Sequence, residues 1–266
     1  MHTSDICHLT SNISMKGYLT KAFVLRKMDF KEADQIVTLF TEANGKVKAI
    51  ARGIKKARSR NVGNLELLNL IDVYLVPGNH FEIVTQVKVL KSFQKLKNDL
   101  DNISTLYYLT ELIDKLIGEN ESIPSVFNLL EEYLNWSENN PQSVLGEFNL
   151  HILEFKLIQI LGFAPEIFHC VKCQEKLRAK ESKKFSLQLS GIVCEHCGKA
   201  IVGIPVSDET IKILRLAQSP DFHFGTKINA GYKDEESAAK SISEYLKWVL
   251  ARELKTIEVI NALKKV

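Results

Sequence analysis

Residues 35–60 read QIVTLFTEANGKVKAIARGIKKARSR, and this stretch decides the fold. Gln35–Thr41 is a run of β-formers, and Asn44-Gly45 after it is a strong hairpin signal. Lys46–Arg52 then alternates. Val47, Ala49 and Ala51 fall on one side of the returning strand, and Lys46, Lys48, Ile50 and Arg52 on the other. Gly53 breaks the pattern, and Lys55, Lys56, Arg58 and Arg60 fall on a loop. The sequence offers these seven cations no carboxylate between Glu42 and Glu66. A solvated face usually mixes both signs, so an unneutralised strand face running into a basic loop suits a polyanion such as a phosphate backbone. A solubilising loop without a partner is the plain alternative.

The flanks complete a small all-β unit. Tyr18–Lys27 reads as a strand before the hairpin, and Leu67–Val76 and Phe81–Leu90 as two more about the turn Pro77-Gly78-Asn79. Five short strands with a long loop fit a small barrel, and the oligonucleotide-binding (OB) barrel is the natural candidate because it has five strands and binds extended chains across one face.

After Leu96 the period becomes helical. Leu106, Leu109, Leu112, Ile113, Leu116 and Ile117 form one stripe over Leu100–Ile117. Ser122 or Ser125 is the expected cap of a second helix that carries Val126, Leu129, Leu130, Tyr133, Leu134 and Trp136 and is closed by Pro141. Ser143–Leu161 is apolar on more than one side, which predicts a central core helix stopped by Gly162. Ser207 or Asp208 caps the next, and helices near Glu235–Arg252 and Lys255–Lys265 end the chain. Trp136 and Trp248 are expected in the core; a partner-peptide contact is the alternative reading. The overall expectation is an α+β protein. It has a polar extension over residues 1–15 (with Met15 a possible start and Cys7 and His8 incidental), a five-stranded barrel over 16–95 and an all-helical domain over 96–266. A four-cysteine zinc module is embedded at 168–204.

Charge divides the same way. Residues 15–95 hold 15 Lys+Arg against 7 Asp+Glu, and residues 96–266 hold 20 against 24, within an overall net charge of +3. One end favours a polyanion, and the other a different kind of partner. No apolar run is long enough to span a bilayer and no secretory signal opens the chain, so a cytoplasmic location is expected.

Cys170-Val-Lys-Cys173 and Cys194-Glu-His-Cys197 stand 20 residues apart, the spacing of a four-thiolate zinc site. A two-residue spacer turns both sulfurs of a pair back to one ion at about 2.3 Å, and two pairs complete a tetrahedron with no position open to water. The expected Zn²⁺ is therefore structural; an iron–sulfur cluster or a redox pair are the alternatives. KKFSLQLSGIVC between the pairs reads as two ribbon strands, and Gly198 as relief of crowding beside the second pair. His169 and His196 flank the ligands without being needed.

A search for catalysis finds no GxxxxGK[ST], GxSxG, HExxH or dinucleotide-binding glycine pattern. Asp29, Glu32 and Asp34 would suit a metal-dependent nuclease, but an acid-rich turn is the better reading. An RNA-binding protein of the translation or transcription machinery is a further alternative.

Asp29-Phe-Lys-Glu-Ala-Asp34-Gln-Ile-Val-Thr-Leu-Phe-Thr41, then Gly45-Lys-Val and Ala51-Arg52-Gly53, resembles the N-terminal domain of the bacterial recombination mediator family RecO. Phe155-Lys-Leu-Ile-Gln-Ile-Leu-Gly162-Phe-Ala-Pro165, leading to Cys170-x-x-Cys173, is similar to that family's core helix entering its zinc module. The likeness covers most of residues 16–266 and departs at Gln174, where the family often has Gly. It implies an OB barrel followed by helices with a zinc finger. It also implies non-enzymatic binding of single- and double-stranded DNA, strand annealing, and work with RecR in loading RecA onto strands coated by single-stranded-DNA-binding protein. Lys46, Arg52, Lys55, Lys56, Arg58 and Arg60 are the basic matches; Lys48 joins them on the alternation.

Overall fold

Five strands close into a barrel: β1 (Tyr18–Asp29), β2 (Gln35–Thr41), β3 (Gly45–Ala51), β4 (Leu70–Val76) and β5 (Glu82–Lys91). Their order round the barrel is β1-β2-β3-β5-β4, with β3–β5 parallel and the other pairs antiparallel. This is the OB arrangement expected from the turn signals. The computed structural model describes residues 17–55, 63–140, 147–226, 228 and 230–250. Alternation along the strands sends Ala22, Val24, Val37, Leu39, Val47, Ala49, Ile71, Val73 and Leu75 into the barrel, where they form a core of their own. At the β2–β3 turn Gly45 has φ +67°, a left-handed conformation that costs an L side chain about 1–2 kcal/mol.

The helical part comprises α1 (Gln94–Lys97), α2 (Leu100–Leu116), α3 (Pro124–Asn139), α4 (Glu147–Ile160), the short α5 (Glu195–Gly198), α6 (Asp208–Gln218) and α7 (Tyr232–Leu250). As its composition predicts, α4 is central, with Ile152, Leu153, Phe155, Leu157 and Ile158 all buried. Its buried Glu154 accepts a hydrogen bond from the Tyr108 hydroxyl and pairs with His151 Nδ1 at 2.7 Å. The expected cap of α6 is present: Ser207 Oγ accepts from Thr210 N at 2.9 Å. The cap of α3 differs. Ile123 stands at the N-cap with Pro124 next, while Ser122 donates instead to the Glu42 carbonyl in the barrel at 3.1 Å. Helix α7 starts at Tyr232, ahead of the expected Glu235, and uses Asp234 and Glu235 in its first turn, where acids favour the helix dipole. Pro141, Ser143 and Lys255–Lys265 lie outside the described residues.

The outer side of the barrel is partly covered. Phe23, Leu25, Phe40, Leu68 and Leu70 join one continuous core with the helices. Phe127 of α3 sits between two of them, with ring centroids 4.9 Å from Phe23 and 5.6 Å from Phe40. Trp136 packs on Tyr133 and Phe224, and the half-exposed Trp248 stacks on Tyr245. Among the described residues no helix is long and apolar enough to cross a membrane.

Candidate nucleic-acid interface and metal centre

Cys170, Cys173, Cys194 and Cys197 converge, with all four sulfurs within 4.8 Å of one another. The Cys173 and Cys194 sulfurs are 3.9 Å apart, close to the edge of about 3.8 Å of a tetrahedron with 2.3 Å metal–sulfur bonds. Burial of Cys170 raises its thiol pKa, but the backbone amides of Cys194, Cys173 and Lys172 outweigh it and pull the group down to about 6. Burial and the neighbouring sulfurs push the Cys197 thiol up to about 12. The amides thus favour a thiolate at one corner, and a bound cation would supply the charge the other corners need. Neither His169 nor His196 belongs to the cluster.

The ribbon around this site has three strands, where the sequence suggested two. Strands β6 (Lys183–Ser186) and β7 (Gly191–Val193) pair as expected, and β8 (Ile204–Val206) adds to the free edge of β6. Lys183 is buried and donates to Asp208 Oδ1 at 2.8 Å, while Asp208 Oδ2 accepts from Lys180 N at 2.7 Å, pinning the ribbon to the start of α6. The reading of Gly198 as relief of crowding is corrected. A Cβ there would meet only Lys184 Cδ at 3.9 Å, an ordinary contact.

On the barrel, register sorts the cations into rows. Cross-strand neighbours share a face, so the outward side of β1–β2–β3 reads Arg26–Thr38–Lys48, then Met28–Ile36–Ile50. Arg52, two residues past Ile50, extends the same side. The row nearest the helices ends in Phe40–Lys46. Arg26 was not singled out in the sequence, because a bulge between Val24 and Arg26 hides its register.

The ridge is not unneutralised, although its own segment lacks acids. The Lys46 side chain is only 11% exposed; its ammonium lies 3.0 Å from Asp114 Oδ1 and donates to the Asp114 carbonyl. Lys48 pairs with Glu119, and Lys55 lies 2.8 Å from Asp29 Oδ2. These ion pairs hold the Glu119 and Asp29 carboxyls below their ordinary pKa, Lys48 being the main cause for the first and Lys55 for the second. Arg26 and Arg52 are exposed and have no ion-pair partner among the described residues. Lys56, Arg58 and Arg60 lie outside the described residues. The acids Asp29 and Asp34 serve the turn: Asp29 takes Lys55 and Gln35, and Asp34 Oδ1 accepts from Gly53 N at 2.8 Å.

Two family models cover the chain, "Recombination protein O N terminal" over residues 15–93 and "Recombination protein O C terminal" over 97–258. The chain belongs to the RecO family. A protein named DNA repair protein RecO from Dehalococcoides mccartyi (strain CBDB1) is 29% identical over 247 residues, spanning 93% of this chain and 96% of its own. Namesakes from Roseiflexus sp. (strain RS-1) and Thermoanaerobacter sp. (strain X514) are 28% and 27% identical, covering 93% and 94% of this chain and 86% and 99% of their own. At Gln174, where the resemblance departs, φ is +60°, the conformation glycine adopts freely. Two backbone hydrogen bonds close the turn, from Gln174 N to the Cys170 carbonyl at 2.9 Å and from Cys170 N to the Glu175 carbonyl at 2.9 Å.

Proposed function

We propose that this chain is a non-enzymatic mediator of DNA recombination and repair. In this reading it binds single- and double-stranded DNA and anneals complementary single strands. With RecR it helps load RecA onto strands coated by single-stranded-DNA-binding protein. It acts in the cytoplasm on the nucleoid. Its cysteines Cys170, Cys173, Cys194 and Cys197 hold one structural Zn²⁺; four thiolates suit zinc and leave no position for a reacting water.

The observation that carries this reading is the exposed cationic side of an OB barrel in a RecO-family chain, Arg26, Lys48, Arg52 and Lys55; Lys56, Arg58 and Arg60 follow these in the sequence. Lys46 drops out of the contact set because its side chain is nearly buried against Asp114, whereas the paired Lys48 and Lys55 stay open to solvent. Annealing needs no catalytic group. Cations that neutralise phosphates lower the repulsion between two strands and so speed their encounter.

Annealing of complementary oligonucleotides, bare and coated with the single-stranded-DNA-binding protein, tests the function. The expected result is acceleration in both cases without a nucleotide cofactor. Binding to single strands should fall with salt at a log–log slope of about −0.7 per neutralised phosphate. Alanine at Arg52, Lys55, Lys56, Arg58 and Arg60 should flatten that slope; an unchanged slope places the contacts elsewhere.

A further inference from the structure

The end of the barrel where β1 turns into β2 carries exposed apolar surface. Phe30 is 44% exposed and Met28 48%, both on the side that carries Arg26, Lys48 and Arg52. Phe30 continues the β1–β2 ladder, its N–H donating to the Asp34 carbonyl at 3.1 Å. Asp34 in turn holds the chain beside Arg52 through the Gly53 amide, so Phe30 and Arg52 flank one short stretch of surface. Lys31 Nζ lies 5.4 Å from the centre of the Phe30 ring. Three carboxylates share this turn: Asp34 is engaged by Gly53 N and Asp29 by Lys55 and Gln35, while Glu32 is exposed and makes no ion pair among the described residues. What is left for a ligand is an aromatic ring, a thioether and the edge of Ile50, bordered by Arg26, Lys31 and Arg52, with one carboxylate, Glu32, next in the chain to Lys31.

That combination matches one class of ligand. An unpaired nucleotide offers a flat π-face and an adjacent phosphate, and single-strand binders meet it with an aromatic side chain beside cations. A duplex has its base faces already stacked and can use only the cations. We infer that Phe30 is a base-stacking residue and that, with Met28, Arg26 and Arg52, it forms a site for an unpaired nucleobase, which single strands can use and a duplex cannot. This rests on the DNA-binding reading above and adds to it the part of the strand that is gripped.

The test measures anisotropy of labelled oligothymidine, the same oligonucleotide with abasic sites in place of bases, and a duplex of equal length. Wild type, Phe30→Ala and Phe30→Trp are compared, with far-UV circular dichroism confirming the fold. Phe30→Ala should weaken oligothymidine binding about 5- to 150-fold, the worth of one stacked base, and leave duplex binding and the salt slope unchanged. Phe30→Trp should keep or improve the affinity. Wild type should prefer thymidine over abasic DNA, and Phe30→Ala should lose that preference. Equal affinity of wild type and Phe30→Ala for oligothymidine, or an equal loss on duplex, would overturn the inference while leaving the function standing. Failure of wild type to bind any of the three nucleic acids would overturn both.

Discussion

Replacing Gly45 by Ala should be among the most damaging single-methyl changes in this protein, for two separable reasons. The first is conformational: φ is +67°, which costs an L residue about 1–2 kcal/mol. The second is steric. A Cβ at Gly45 would lie 2.0 Å from the Glu121 carbonyl oxygen, 2.3 Å from its carbon and 2.7 Å from its nitrogen. Those are backbone atoms of the turn between α2 and α3, so no side chain can swing away to make room. The turn must move, and it takes with it the hydrogen bonds from Asn120 N to the Lys46 carbonyl (3.0 Å) and from Ser122 Oγ to the Glu42 carbonyl (3.1 Å). At about 1 kcal/mol net for each of these, the total loss is about 3–4 kcal/mol. In a chain of this length that corresponds to a fall in Tm of roughly 10 °C. Gly162→Ala supplies the control, since Gly162 has φ +84° but nothing within 4 Å of the added carbon. It should show the conformational cost alone. Urea unfolding of both variants, followed by circular dichroism, separates the two effects. If Gly45→Ala costs no more than Gly162→Ala, the barrel and the α2–α3 turn are not in the contact described, and the reasoning fails.

Glu119→Gln frees Lys48 from its internal partner and should tighten single-stranded DNA binding severalfold at low salt, with a steeper salt slope in titrations; looser binding would mean that Glu119 supports the interface. Asp208→Asn leaves the buried Lys183 ammonium without its charge partner and should destabilise the protein by about 3–5 kcal/mol in urea unfolding. Backbone and Lys183 hydrogen bonds hold the Asp208 carboxyl below its ordinary value of 3.8, so its contribution is complete above that pH and is lost as pH falls through the lower folded value. Asp208→Asn should therefore show a shallower acid limb than wild type. Cys173→Ser removes one corner of the tetrahedron and should abolish stoichiometric metal in elemental analysis, with lowered thermal stability but Lys48, Arg52 and Lys55 left in place on the barrel. Retention of one tightly bound metal per chain by that variant would refute the four-thiolate assignment.

The barrel was legible because its signals are local. Asn44-Gly45, the alternation over Lys46–Arg52 and the turn at Pro77-Gly78 each act within a few residues, and the strands end within three residues of where those signals place them. The cysteine cluster was legible for the same reason, since ligand spacing is a chain-local constraint. The charge state of the ridge was not. Lys46 and Lys48 meet Asp114 and Glu119, which lie 68 and 71 positions away, and only the packing of α2 against the barrel brings them together. Arg26 was hidden by a bulge that shifts its register, and β8 by its length of three residues with Pro205 in the middle. The Ser122 cap failed for a related reason: the hydroxyl found a carbonyl in the barrel, a partner no local pattern contains.

Phe127 wedged between Phe23 and Phe40 bears on how such a protein can be dissected. Cutting the chain after β5 would strip away the cover over Phe23, Leu25, Phe40, Leu68 and Leu70 together, leaving a greasy wall beside the very strands proposed to grip DNA. A truncated barrel would then clump or cling to surfaces for reasons unrelated to its biology. Point changes in the intact chain are the sounder scalpel.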